Sequence, residues 1–404
     1  MRYNAEIINF ELLYIYDDKE PLLEDLYVLN YKRIMQEITR AAKRRNIDAI
    51  IGLVIVDGFL YKNIEPFYTM LEKIQSECRT LGIKKLALVA GMCDQFHTNL
   101  KSRNLDYDII FWDYNINMVW QAYRDNLDEI HQWNSHRDKF LFLGGVPSRP
   151  NRLLLCNKFY EKDLLRHSEW SFFRPWTDGD KEWCRTALSH YSDTQYENFL
   201  SYVNRKVDNY YDEAKDFSRL LGKQLADAGL HNTTFCKNAG YIDSNIFGNT
   251  VLSVISEGYP TDDNLDSKFI TEKTYRAIIN RHPLIISGTP DMIDFMKTKD
   301  VKTFEEYVLH KEYYWEPNED KRLSLIVENT EYFLKNFKKH EDAIRSDIEH
   351  NYNLFFKIVE ENYNTLEKMQ LEYTISDRTI RKWFEQKGFA HWLIILDQPK
   401  GPSL

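Results

Sequence analysis

The chain has 404 residues, 43% hydrophobic and 28% charged, enough material for two or three domains, which excludes a disordered chain, a fibre and a disulfide-stapled miniprotein. Its 53 Lys and Arg against 62 Asp and Glu leave a formal net charge of −9, so any nucleic acid or anionic membrane would have to meet a local basic patch. Cys78, Cys93, Cys156, Cys184 and Cys236 lie far apart, with no Cys-x-x-Cys and no zinc-ligand spacing, a pattern expected of reduced thiols.

In chain order, Ile7 to Tyr16 is rich in β-branched and aromatic residues and predicts a strand, and Tyr31 to Arg45 a helix. The apolar run Ala49 to Val56 then predicts a buried strand ending at Asp57-Gly58, followed by a helix over Pro66 to Leu81. Leu86 to Ala90 and Asp108 to Trp112 repeat the pattern, ending at Asp94 and Asp113. In a parallel α/β sheet, ligands bind beyond the carboxyl ends of the strands, which makes Asp57, Asp94 and Asp113 candidates for one cleft. Asp is also a good turn former and helix cap, and that reading stands beside the first.

A second α/β unit is expected to open at Phe140 to Leu143, followed by Gly144-Gly145, read as a turn, and by Pro147 and Pro150. Phe172 to Tyr241 reads as mostly polar helix with loops. Val251 to Ser256 and Leu284 to Ser287 read as strands around a helix at Glu272 to Asn280, a β-α-β pattern. From Asp320 onward the chain is charged and helical, with apolar spacing such as Leu323, Ile326 and Val327. No apolar run approaches the ~20 residues of a membrane helix. Met1 to Tyr16 lacks the basic region and cleavage site of a secretory signal, so a soluble cytoplasmic protein with no membrane partner is expected.

The segment Ser253 to Pro290 is the most informative for chemistry. Thr271-Glu272-Lys273 opens a helix, and a helix N-terminus offers unpaired N–H groups and partial positive charge to a phosphate, to which Lys273 adds a full charge. Glu272 could accept two hydrogen bonds from a ribose diol. The same residues also make an ordinary capped helix, with Thr271 as cap, Glu272 favourable to the dipole and Lys273 solvated.

Val254-Ile255-Ser256-Glu257, then Lys268 to Ile278 with Thr271-Glu272-Lys273 inside it, then His282-Pro283-Leu284-Ile285-Ile286-Ser287-Gly288, resembles the donor-site signature of family 10 glycosyltransferases, the fucosyltransferase group, and of related phage glycosyltransferases. Phe140 to Arg152, with Gly144, Gly145, Arg149 and Arg152, resembles the opening of the donor domain in the phage group. The resemblance covers Lys139 to about Asn329. It implies a GT-B type α/β fold of two Rossmann-like domains facing a central cleft, with C-terminal helices packing back. The boundaries expected on that basis are 1–137 for the acceptor side, 138–335 for donor binding and 336–404 for the C-terminal helices.

By the same resemblance Glu272 would hold the ribose, Lys273 the diphosphate and Glu257 the transferred sugar, with Thr271 and Tyr259 on the donor side. Arg149 or Arg152 would make forked bonds to phosphate oxygens. Gly258-Tyr259 stands where the fucosyltransferases carry Asn-Ser, which leaves the sugar open. The expected activity is transfer from a UDP- or GDP-linked sugar to an acceptor hydroxyl, with no cofactor besides that donor substrate.

Asp178-Gly179-Asp180 has the spacing of a metal-holding pair, but the helix dipole and basic side chains are expected to do that work. An inverting reaction would need a base from Asp57, Asp94 or Asp113. Arg33, Arg40 and Arg44 share a helix face that could track a phosphate backbone, or be plainly solvated. The Lys-, Asn-, Tyr- and Ile-rich composition resembles proteins of AT-rich phages, some of whose relatives of this class glycosylate hydroxymethylcytosine, which makes such DNA a candidate acceptor. A glycan acceptor, or a non-catalytic binding protein with a degenerate fold of this kind, is the alternative. The absence of G-x-x-x-x-G-K-[ST] and G-x-G-x-x-G argues against P-loop and dinucleotide enzymes.

Overall fold

The structure is a computed structural model that describes residues 3–10, 23–45, 47–54, 65–90, 94–124, 126–145, 150–172, 178–203, 244–257, 270–288 and 290–375. The chain is α/β and divides into two compact units, one drawn from Met1–Asn117 and Ile358–Leu404, the other from Met118–Asp266 and Ile270–Lys357.

The first unit holds a five-stranded parallel sheet of β1 (Tyr3–Asn9), β2 (Ala49–Val54), β3 (Lys85–Ala90), β4 (Asp108–Phe111) and β9 (Tyr373–Ile375), in the order β4-β3-β2-β1-β9. Every residue of β2 is buried, as expected of a central parallel strand covered on both faces. Alternate residues serve the two faces. Ile8, Ile50, Val54, Leu86 and Leu88 join Ile34, Ile38, Phe67, Leu71 and Ile74 of the helices Leu23–Arg45 and Glu65–Thr80 in one core. Ala5, Ala49, Ile51, Leu53, Ala87 and Val89 form the other with Trp112 and Tyr373. Gly52 lies where a Cβ would come within 2.7 Å of the Phe10 ring and 2.8 Å of Leu88, so its bare backbone is what lets Phe10 close over the sheet.

The second unit holds a four-stranded parallel sheet of β5 (Phe140–Gly145), β6 (Ser168–Phe172), β7 (Leu252–Ser256) and β8 (Leu284–Ser287), in the order β6-β5-β7-β8. From β5 the chain runs through the helix Pro150–Glu161 to β6 on one side, then returns to place β7 on the other. This reversal of direction beside β5 is a topological switch point, where the helices following the strands diverge and leave a crevice beyond the carboxyl ends. Phe159 packs on Phe140 and Phe142 from one face of the sheet.

The helix Glu341–Glu372 runs for 32 residues. In the second unit its Tyr352 lies under the Arg281 guanidinium, 3.5 Å from ring centroid to Cζ, and Phe355 meets Tyr275 edge-on. Its last part belongs to the first unit, where Asn362 brackets the Asp113 backbone, accepting from its N–H at 3.3 Å and donating to its carbonyl at 3.1 Å. Then β9 pairs with β1. The C-terminal chain thus returns to the sheet that the N-terminal chain begins.

Three expectations are corrected. Strand β1 begins at Tyr3 and ends at Asn9, whereas 11–22 lie outside the described residues. Gly144 and Gly145 are the last residues of β5 rather than a turn, and the pairing with β6 shifts register between Leu143 and Gly145. The C-terminal region is not helical throughout, since it supplies β9. No described helix is long and apolar enough to cross a membrane.

Candidate functional site at the switch point of the second sheet

Three segments deliver charged side chains to the carboxyl ends of β5 and β7. Arg152 is the third residue of the helix that follows β5. Glu257 follows β7 directly, its N–H donating to the Ser287 carbonyl at 2.9 Å, which pins it beside the end of β8. Glu272, Lys273 and Arg276 come from the helix Glu272–Ile279. Thr271 is its N-cap, in extended conformation, with its side-chain oxygen accepting from the Lys273 N–H at 3.3 Å. That satisfies one of the helix's otherwise unpaired donors and fixes where the first turn starts.

Glu257 is 1% exposed. Its Oε1 accepts from the Thr271 N–H at 3.2 Å and from the Thr274 hydroxyl, while its Oε2 is buried with no partner among the described residues. Glu272 Oε1 accepts from Lys273 Nζ at 2.9 Å and from Arg276 Nη2 at 3.1 Å. Burial by itself would raise the Glu272 pKa, but the Lys273 and Arg276 charges outweigh it and hold the carboxyl at about 2. The group is therefore a carboxylate at neutral pH.

Arg152 is 7% exposed, and its Nε is buried without an acceptor among the described residues. Burial pulls its pKa below the usual guanidinium value, a pull opposed by the charges of Glu257 and Glu272 and reinforced by Arg276. These four side chains therefore share one electrostatic neighbourhood. Beside them Asn151 Nδ2 donates to Ser256 Oγ at 3.0 Å, which ties the first turn of the helix after β5 to the end of β7. The Ser287 hydroxyl at the end of β8 is also buried without a partner among the described residues. A cavity of about 20 Å³ lies between Lys273, Arg276 and the strand residues Leu141, Leu143, Ser253 and Ile255. It has room for about one water.

Of the donor-side candidates, Arg152, Glu257, Thr271, Glu272 and Lys273 are brought together here, with Gly144 and Gly145 at the end of β5. Arg149 and Tyr259 lie outside the described residues. Sequence reasoning missed Arg276, Thr274 and the Asn151–Ser256 tie. Arg276 was legible, because Glu272 and Arg276 stand four apart on one helix, the spacing of a paired carboxylate and guanidinium. Nothing in the sequence marks Thr274.

In the first unit the candidate acids come after β2, β3 and β4 in the chain, and Asp94 and Asp113 directly open or precede the helices that follow β3 and β4. Asp57 lies outside the described residues. Asp94 is the first residue of the helix Asp94–Ser102. Asp113 is 3% exposed and its Oδ1 accepts from the Ile116 N–H at 3.1 Å, so it caps the helix Tyr114–Tyr123. On the helix Leu23–Arg45, Arg33 lies 3.5 Å from Glu37 and Arg40 is exposed. Arg44 belongs to the same helix, and its side chain lies outside the described residues. Asp178 and Asp180 open the helix Asp178–Ala187.

His282 stands at the opposite end of the second sheet. Its Nε2 donates to the Thr250 carbonyl at 2.9 Å, and its Nδ1 accepts from the Ser253 hydroxyl at 2.8 Å. Burial lowers its pKa to about 4, so it is a neutral core residue that ties β7 to the turn before β8.

Comparison of the chain with protein-family models, with curated proteins and with solved structures finds no match.

Proposed function

We propose that the protein is a glycosyltransferase of GT-B type, whose second unit binds a UDP- or GDP-linked sugar beyond the carboxyl ends of β5, β7 and β8. The first unit would supply the acceptor side. The observation that carries this reading is the charged cluster at the switch point, in which Glu257 Oε2 and Arg152 Nε are buried without partners among the described residues. A buried carboxylate oxygen left unmatched is costly unless a ligand group completes it. A cluster with cations on one part and a carboxylate acceptor on another suits a ligand that carries both phosphate and hydroxyl groups.

In the reaction the acceptor hydroxyl oxygen attacks the anomeric carbon, and the bond from that carbon to the β-phosphate oxygen breaks. The nucleoside diphosphate leaves with the electron pair, while the acceptor proton passes to a carboxylate. Lys273, Arg152 and the N-terminus of the helix Glu272–Ile279 would stabilise the charge growing on the diphosphate. Glu272 would accept from the ribose diol, and Asp57, Asp94 or Asp113 would take the proton. Hydroxymethylcytosine in DNA is the first acceptor to test, with Arg33, Arg40 and Arg44 as the basic face that would meet it; a glycan is the second.

The test incubates purified protein with UDP- and GDP-sugars, with and without hydroxymethylcytosine-containing DNA, and reads nucleotide release and product mass. A sugar-sized mass gain on the DNA, reduced at least about a hundredfold in Lys273→Ala, is the expected result. Near wild-type transfer by that variant would overturn the site assignment. Binding without transfer to any acceptor would favour a non-catalytic binding protein.

A further inference from the structure

Glu257 differs from the other charged groups of the switch point in how it is held. Among the described residues both bonds to its carboxyl fall on one oxygen, Oε1, and both donors come from one turn of helix: the N–H of Thr271, the N-cap, and the hydroxyl of Thr274 three residues on. A threonine hydroxyl in a helix ordinarily bonds back to a carbonyl three or four residues earlier. This one reaches instead to a strand end 17 residues before it. Thr274 is itself fully buried, so a bulk-water partner does not compete for the hydroxyl. The remaining oxygen, Oε2, is buried and unmatched among the described residues.

We infer that Thr274 is a positioning residue, which with the Thr271 N–H clamps Oε1 of Glu257 and so presents Oε2 as the acceptor for a hydroxyl of the bound sugar. This rests on the nucleotide-sugar reading given above. Because a carboxylate oxygen only accepts, the ligand group at Oε2 has to be a hydrogen-bond donor, and a phosphate or carboxylate oxygen is unsuited to it. The cluster is thereby divided by chemistry, with Lys273 and Arg152 taking the diphosphate and Glu257 the sugar. Thr274 touches no ligand and acts only by fixing the carboxylate plane.

The test titrates the full-length protein and its variants with UDP-glucose, UDP-galactose, GDP-mannose and GDP-fucose, and with UDP and GDP alone. For the best-bound sugar nucleotide, Thr274→Val is expected to weaken binding about tenfold while the affinity for the bare diphosphate stays within about twofold. Thr274→Ser, which keeps the hydroxyl, is expected to restore binding to within about threefold. Thr274→Ala removes the same hydroxyl with a smaller group and carries the same expectation should the valine variant fail to fold.

Equal weakening of sugar nucleotide and bare diphosphate would mean a merely structural role and overturn the inference. Unchanged binding of both would overturn it too and leave the nucleotide-sugar reading standing. If the wild-type protein bound no member of the panel, the nucleotide-sugar reading would fall and the inference with it.

Discussion

Replacing Glu272 by Gln removes the carboxylate that pairs with both Lys273 and Arg276 at the switch point. The pKa of Glu272 is displaced from an ordinary 4.5 to about 2, and at about 1.36 kcal/mol for each pH unit that displacement is worth about 3 kcal/mol of folding stability at neutral pH. Because the folded-state value is depressed, the contribution is complete well above pH 4.5 and fades as pH falls toward 2. By the same linkage most of it is still present at pH 4 and less than half at pH 3. Urea unfolding of the wild-type protein and Glu272→Gln between pH 7 and pH 3 measures it. The gap between the two is expected to be about 3 kcal/mol at pH 7 and to narrow by more than half at pH 3. Other titrating carboxylates are common to both proteins and cancel in the difference. A gap that stays constant across that range would refute the argument that the two cations hold Glu272 ionised.

His282 makes the complementary prediction. Its folded pKa lies at about 4 against an ordinary 6.5, so its imidazole resonances should remain those of a neutral ring down to about pH 4, and the stability it supports is lost as pH falls from 6.5 toward 4; an NMR midpoint near 6.5 would contradict the burial argument. Gly52→Ala forces a methyl group to within 2.7 Å of the Phe10 ring. A loss of about 1–3 kcal/mol, read as a lower unfolding midpoint, is the expected cost of that overpacking.

The strands legible in the sequence are the ones with continuous apolar runs. Ala49–Val54, Lys85–Ala90 and Leu284–Ser287 are buried in both directions, so burial and composition say the same thing. Strand β6 went unread because Ser-Glu-Trp-Ser-Phe at a sheet edge has neither an apolar run nor a turn signal on both sides. Strand β9 went unread because three residues after a 32-residue helix carry no periodicity of their own; only pairing with β1, brought near by the fold, makes them a strand. At the site, Thr271, Glu272 and Lys273 were readable as a helix start because capping is local in sequence. The bond from Thr274 to Glu257 was not, since it depends on how the helix Glu272–Ile279 is set against the end of β7.

Pairing of β1 with β9 has a consequence for how the protein is made. Tyr3 meets Tyr373 across about 370 residues, so the first sheet acquires β9 only after the whole of the second unit, which ends at Lys357, has been synthesised. Until then β1 is an edge, with a row of unanswered amides and carbonyls open to other chains. Synthesis therefore orders the two units, since the second can collapse around its own four strands while the first, begun earlier, is finished later. A nascent chain stalled before Tyr373 would display that edge of β1.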